Sequence, residues 1–473
     1  MHYEVLLDQN KVKTEGGTIP IAEKCDVIVC GGGTAGLAAA LASARNGADT
    51  ILIERNGFLG GVATATMMGV AWGFFDGMSG ICKEIFQELV EKGYATPGPI
   101  VPFDHEGFKE VAFRLVEESG VRSLLYTMIV DTIVQDNKVI GVVIENKSGR
   151  QAILGKVVID TTGDGDVCAR SGAEFIKGRT SDGKMRPVTL LFRLGNVDPE
   201  KIIEWARANP HQFLQEENVN MIRPEIGLVR LHGFYDLVEQ ARAKGELPDE
   251  VHYLRFEYVH LKQRAVLVNT VRVYGVDGTN GWEVSKAEVA ARKQLRQVEQ
   301  FCRKYVPGCE NAFLLDTSSM LGVRETRHVI GDYILRDVDV YEDPVVPDSI
   351  FHNATAMPKY TEVHSADGKE GSVTDEGNRS KNWERVEYNI PFRALIVKGF
   401  ENLLVAGRCM SSYTEADRLT RHIPVCLGTG QAAGTAAAMA VKRSVPIREL
   451  DIKELQQTLE SQGVNIGRDK VSA

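Results

Sequence analysis

The sequence predicts an α/β fold: a Rossmann-like nucleotide-binding domain grown from a parallel βαβ unit, with an inserted α+β substrate or cap domain. Three observations predict it. Near the N-terminus a short apolar strand runs into a glycine-rich turn and an Ala-rich helix, and a second apolar strand follows. Residues 156–166 (KVVIDTTGDGD) give a middle strand ending in another glycine-rich turn, and the chain turns Gly- and Ala-rich again from Asn402. Between these, residues 176–394 are more polar and mixed. The expected organisation is a discontinuous nucleotide-binding domain, 20–175 with 395–445, a substrate or cap domain at 176–394, and a C-terminal tail at 446–473.

The first 20 residues form an entry arm. Residues 25–30 (CDVIVC) read as a buried parallel strand, 31–36 as a turn, 37–46 as a helix and 50–54 (TILIE) as the next strand. Residues 84–91 and 107–119 have the period of amphipathic helices. Strands are expected at 130–134, 139–145 and 157–160, with turns at Asp136-Asn137 and Lys147-Ser148-Gly149. A helix is expected at 287–305, a charged loop at 364–381, and a small-residue helix at 428–439 behind Pro424.

Composition excludes several classes. The 473 residues hold 55 Lys+Arg and 64 Asp+Glu, a net charge of −9; 43% are apolar and 25% charged, which suits a globular chain and not a disordered or fibrous one. Mild acidity gives no electrostatic reason to expect nucleic acid or an anionic membrane as partner. The eight cysteines are scattered and form no CxxC pair, so a redox dithiol, zinc ribbon or iron–sulfur cluster has no local signature, and no metal is expected. The polar N-terminus lacks an apolar signal core, which makes the cytoplasm the expected location. Residues 27–44, 56–75 and 423–441 carry no formal charge and are long enough to span a membrane. Their Gly, Ala and Thr content instead predicts close packing on something large, flat and buried, as a cofactor is.

Gly31-Gly32-Gly33-Thr34-Ala35-Gly36 fits G-x-G-x-x-G between strand and helix. Gly31 permits the tight turn, Gly33 lets backbone approach a pyrophosphate, and Gly36 lets the helix pack on the sheet. Thr34 and Ala35 open the helix, whose N-terminus offers N–H donors. Glu54 lies 18 residues beyond Gly36 at the end of the second strand, where an acid accepts from a ribose hydroxyl. This predicts a dinucleotide site without choosing between FAD and NAD.

Two distant segments decide: the middle strand–turn at 156–166, and 402–408 (NLLVAGR). With them the chain resembles the flavoprotein superfamily of glutathione reductase and fumarate reductase. It is most similar to FAD-dependent oxidoreductases related to the flavin subunit of heterodisulfide reductase. The blocks are GGGTAGLAAALASARNGADTILIER, FLGGVATAT, VVIDTTGDGDVCARSGAEF, GVRETRHVIGDY, IPFRAL and NLLVAGRCMSS…RHIPVCLGTGQAAGTAAA. The resemblance implies a glutathione-reductase-type FAD domain. Its candidate contacts are the Gly31–Gly36 turn with Glu54 and Arg55, then Gly60, Gly61 and Thr64 beside the flavin, then Val130, Thr162, Gly163, Gly407, Arg408 and Gly428. Two departures matter. The iron–sulfur cysteines of heterodisulfide-reductase proteins are absent. No His lies between Arg55 and His105, where covalent fumarate-reductase-type flavoproteins attach FAD, so non-covalent FAD is expected. In Gly163-Asp164-Gly165-Asp166 the acids are expected to cap the next element of the chain and not to bind calcium.

The resemblance also implies that the last helix aims its N-terminus at the pyrimidine end of the flavin, with Arg421 and His422 in the entering loop. His422 replaces a more commonly apolar residue and is expected to titrate near neutrality as acid or base. Arg421 and Arg324 match family arginines, as does Arg327. Arg418 lies in Asp417-Arg418-Leu419, similar to the Asn-Arg-Leu of fumarate reductases, although Thr414 stands where those enzymes have His. These arginines offer forks for an oxygenated substrate. Tyr413, Tyr388 and His328 are further pocket candidates, and Trp72, Phe74 and Phe75 belong to a pocket wall or to the core. The expected activity is hydride transfer between a small molecule, an organic acid or hydroxylated compound, and flavin N5. The alternatives are a non-redox hydratase or isomerase that needs FAD, and an electron-transfer subunit of a larger complex. The electron donor or acceptor and the oligomeric state stay open.

Overall fold

The computed structural model describes residues 4–6, 9–14, 16–213, 227–342, 344–358 and 383–468; the expected loop at 364–381 lies outside them. The organising strand is Gly17–Cys30, whose last four residues are fully buried. That continuous apolar run is what a strand covered on both faces needs. It pairs in parallel with Thr50–Ile53 on one side and Gly149–Asp160 on the other, setting Cys30 beside Ile53 and Asp160. Leu403–Val405 adds in parallel beyond Gly149–Asp160, with Val405 opposite Asp160, and Arg122–Leu124 flanks Thr50–Ile53. Strands from distant parts of the chain therefore finish at one edge, where open α/β sheets bind ligands. Met128–Gln135 and Lys138–Asn146 meander antiparallel onto the first half of Gly149–Asp160. The entry arm is a hairpin, Glu4–Leu6 with Lys11–Thr14, added to the first half of Gly17–Cys30; the whole sheet has nine strands among the described residues.

The helices form near their expected places, each starting a few residues earlier: Thr34–Arg45, read from its Ala-rich composition, and Gly80–Glu91, His105–Glu118 and Gly281–Tyr305, read from periodicity. The last long helix, Ile423–Arg443, carries Pro424 in its first turn as expected, where no N–H partner is needed. Two of the uncharged stretches pack on each other. A Cβ added at Gly430 would stand 2.1 Å from the Ala35 carbonyl oxygen, and one at Gly434 2.1 Å from that of Ala39. Helix-on-helix contact thus demands much of the small-residue content that the sequence suggested a cofactor would demand. No helix among the described residues is long and apolar enough to cross a membrane.

Apolar packing divides the chain differently from the expected boundaries. One core joins residues from Val27 to Ala173 with residues from Val329 to Ile466. The second spans Val188 to Leu321. It lies on an antiparallel sheet ordered Leu228–Gly233, Leu254–His260, Ala265–Val268, Phe192–Gly195, Phe313–Thr317, covered by the Ala287, Ala291, Leu295 and Val298 face of Gly281–Tyr305. The hairpin Ser349–Pro358 with Trp383–Pro391 places Phe351, Tyr388 and Ile390 in the first core, so the inserted domain ends well before residue 394. Leu455 and Leu459 of Ile452–Ser461 also join the first core, so the segment after 445 is part of it and no tail.

Candidate active site

A cavity of about 470 Å³ runs from the glycine turn, past the ends of the parallel strands, to the wall of the inserted domain. At its first end Gly31 holds φ +102°, and a Cβ there would lie 2.7 Å from the Thr161 carbonyl oxygen. A Cβ at Gly36 would lie 1.7 Å from the Gly31 oxygen. Gly33 differs: the nearest atom to an added Cβ is 3.8 Å away, so a side chain would stand in the cavity itself. The cradle is shaped for a bound group at that point. Thr34 and Ala35 line it, and the helix they open has neither a side-chain cap nor an acid in its first turn, leaving N–H donors for an anion. Glu54 is buried; one oxygen accepts from Gly32 N at 2.7 Å, the other from Asn56 N at 2.8 Å and Asn56 Nδ2 at 2.7 Å. A carboxylate has lone pairs beyond these for a ligand hydroxyl.

The middle strand supplies the next wall. Burial raises the Asp160 pKa, opposed by hydrogen bonds from Cys168 N, Thr162 N and Thr162 Oγ1. Those bonds fix the turn that brings Thr162 and Gly163 to the cavity. Thr161 Oγ1 ties this turn to the glycine loop through the Cys30 and Gly31 carbonyls. Asp164 and Asp166 do not cap the following helix as expected. Asp164 takes Arg408 at 2.7 Å and Asp166 takes Arg327 at 2.9 Å, while Thr162 Oγ1 accepts the Asp166 N–H. Arg55, Gly61, Gly407 and Arg408 complete the nucleotide side. The other candidates lie behind the wall. Gly60 N donates to Gly32 O at 2.8 Å and Thr64 Oγ1 to Leu59 O at 2.7 Å. The Val130 carbonyl accepts from Arg170, and Gly428 faces the Phe351 ring.

Arg418, Arg421, His422 and Arg324 all reach the cavity. His422 caps the start of Ile423–Arg443, and its ring stacks on Trp72 with centroids 6.0 Å apart. Its Nδ1 has no hydrogen-bond partner among the described residues. Burial, reinforced by Arg421, Arg418 and Arg186, holds the imidazole pKa well below its ordinary range. His422 therefore does not titrate near neutrality as the sequence suggested; it stands neutral, able to accept a proton. Burial also lowers Arg421 to about 10, against the pull of Asp417, whose carboxylate lies 3.5 Å away. Arg418 donates to the Tyr341 hydroxyl and Arg324 to the Pro187 carbonyl.

The remaining candidates sit outside the cavity wall. Tyr388 donates to Leu419 O, and Tyr413 precedes the helix Thr414–Thr420. Phe75 lies under Lys83 and Phe74 under Arg385. His328 lies 3.8 Å from Glu325. Glu325, His328 and Asp417 bring potential metal ligands within 4.8 Å of one another. Arg186 lies 3.6 Å from Glu325 and 3.8 Å from Asp417, and Arg421 is on Asp417 as well. Two guanidinium groups balance two carboxylates, so the cluster is built as an ion-pair network. Sequence reasoning missed the contribution of the inserted domain: Thr189, His232, Tyr253, Arg255 and Asn269. They come from segments up to 80 residues apart in the chain, in or just outside strands, with no local motif.

The family model for FAD dependent oxidoreductases matches residues 26–459. Among curated relatives, the thiamine thiazole synthase of Aeropyrum pernix is 31% identical over 35% of this chain and 63% of its own length. The tRNA uridine 5-carboxymethylaminomethyl modification enzyme of Aquifex aeolicus is 30% identical over 26% of this chain and 22% of its own. The chain thus spans less than two thirds of either. Among solved structures, a geranylgeranyl bacteriochlorophyll reductase-like protein of Thermoplasma acidophilum is 13% identical over 93% of this chain and 83% of its own, with a TM-score of 0.46.

Proposed function

The chain belongs to the FAD-dependent oxidoreductase family, and on that premise we propose that it transfers a hydride between a substrate carbon and flavin N5. The substrate is an organic acid or a hydroxylated compound. The supporting observation is the continuity of one cavity from the glycine cradle to Arg418, Arg421 and His422. FAD, when bound, supplies a two-electron centre that the side chains lack. His422, neutral and without a partner on Nδ1, takes the proton of a substrate hydroxyl during oxidation and returns it in reduction. Arg421, Arg418 and Arg324 orient the substrate oxygens. Non-covalent attachment of FAD and a cytoplasmic setting are part of this reading. So is kinship with the flavin subunit of heterodisulfide reductase, which the six sequence blocks support.

The test is anaerobic. The purified holoprotein is mixed with hydroxy acids and with alcohols, and the visible flavin band is followed. Bleaching by one of them, reversed by an oxidant, supports the reading. His422→Gln is expected to slow that reduction about 100-fold with flavin content unchanged. Turnover of any of these compounds without an electron acceptor overturns hydride transfer in favour of a hydratase or isomerase.

A further inference from the structure

We infer that the inserted domain carries a carboxylate pocket, formed by Arg324, Arg255, His232 and Tyr253 on its side of the cavity, which holds the acid group of the substrate. The occupant's identity as substrate rests on the hydride-transfer reading; the pocket itself rests on an imbalance between donors and acceptors.

Arg324 is 7% exposed and lines the cavity. It donates to the Pro187 carbonyl and forms no ion pair among the described residues. Arg272, Arg421 and Arg255 act on it as like charges, opposed more weakly by Tyr253. A buried cation among cations is strongly unfavourable unless an anion joins it. Arg255, 3% exposed, has Glu257 at 3.7 Å, but that carboxylate also serves Arg230 at 3.3 Å and accepts from Asn269 at 2.6 Å. The Tyr253 hydroxyl accepts from Arg255 at 3.1 Å and from Arg272.

His232 adds an independent sign. It is 8% exposed, lines the cavity and lies over Tyr253 with ring centroids 4.4 Å apart. Neither ring nitrogen has a hydrogen-bond partner among the described residues. Buried polar groups are nearly always paired, so this one points to a ligand. Burial, with Arg255, Arg230 and Arg272, keeps the ring neutral, and a neutral imidazole still has one N–H to donate. Among the described residues the wall therefore presents more guanidinium and imidazole donors than acceptors: His232 has none, Arg324 has the Pro187 carbonyl, and Arg255 shares Glu257 with Arg230 and Asn269. A planar two-oxygen anion matches the guanidinium fork. Leu191, Leu321 and Val284 also line the cavity and suit a short carbon skeleton behind the acid group.

The holoprotein is titrated with acetate and butyrate, their amides and inorganic phosphate, following the flavin spectrum and the Tm. Carboxylates are expected to bind, with amides at least tenfold weaker. Arg324→Met is expected to weaken carboxylates at least tenfold while raising the Tm of the ligand-free protein, a gain that loss of a purely structural arginine would not give. His232→Phe and Arg255→Gln are expected to weaken carboxylates as well, and they carry the test if Arg324→Met does not fold. Amides binding as tightly as acids, phosphate binding tenfold tighter than carboxylates, or variants with unaltered affinity overturn the pocket. Flavin reduction by uncharged alcohols with no competition from carboxylates overturns the pocket and spares hydride transfer. Selective carboxylate binding with no compound reducing the flavin overturns hydride transfer and spares the pocket.

Discussion

Glu54 ends the second strand buried, with three protein N–H groups on its two oxygens. Glu54→Ala removes the acceptor for those groups and for any ligand hydroxyl, at about 1.5–3 kcal/mol for bonds to a charged partner. FAD affinity is then expected to fall about 10- to 100-fold, read as flavin lost on gel filtration; full retention would remove Glu54 from the site. His422 makes a second prediction. With its pKa held below the usual value near ~6.5, it stays an unprotonated base from about pH 8 down past 6.5. The rate of flavin reduction should be flat across that span and fall only on the more acid side, whereas a midpoint near neutrality would return it to an ordinary exposed imidazole. Glu54 and the glycines were legible because the motif is local. Arg255 and Glu257 were not. In Leu254–His260 (LRFEYVH) their alternation with apolar residues reads as a solvent-facing edge, yet every residue of that strand is buried. Partners from outside that strand, Asn269 and Arg230 on Glu257 and Tyr253 on Arg255, make that burial tolerable.

Among the elements, Thr34–Arg45 and Ile423–Arg443 show how one composition serves two ends. Both helices begin at the cavity, and they approach each other backbone to backbone at Gly430 and Gly434. Gly434→Ala places a Cβ 2.1 Å from the Ala39 carbonyl oxygen, so the helices must part. The expected loss is about 1–3 kcal/mol, the range for overpacking a core, read as a lower Tm in the flavin-free protein. An unchanged Tm would mean the contact is slack. Small-residue composition located these two helices, as periodicity located the amphipathic ones, because both signals are written along one segment. The layer into which an element packs is not. Phe351 and Tyr388 belong to a mixed polar and apolar hairpin whose sequence favours neither domain, and tertiary contact alone assigns it to the first core.

The whole molecule holds its cavity between two apolar cores, and it buries several imidazoles to do so. His422, His232, His105 and His260 all have pKa values lowered first by burial. Below about pH 6.5 the unfolded chain takes up protons that the native state refuses, so stability must fall as pH falls. Each such group contributes about 1.4 kcal/mol per pH unit, from the ordinary histidine value down to its own depressed one. Asp160 and Asp417 act in the opposite sense, because burial raises their pKa values and the native state binds those protons first. Their effect adds stability as pH drops toward about 4, so these two carboxyls oppose the four imidazoles. Tm measured against pH should therefore hold above about 6.5 and decline below it. Replacing His422 and His232 together by Gln, which cannot charge, should flatten the first part of that decline. A Tm that rises on acidification from neutrality would place the imidazoles in water, and with them the wall of the site.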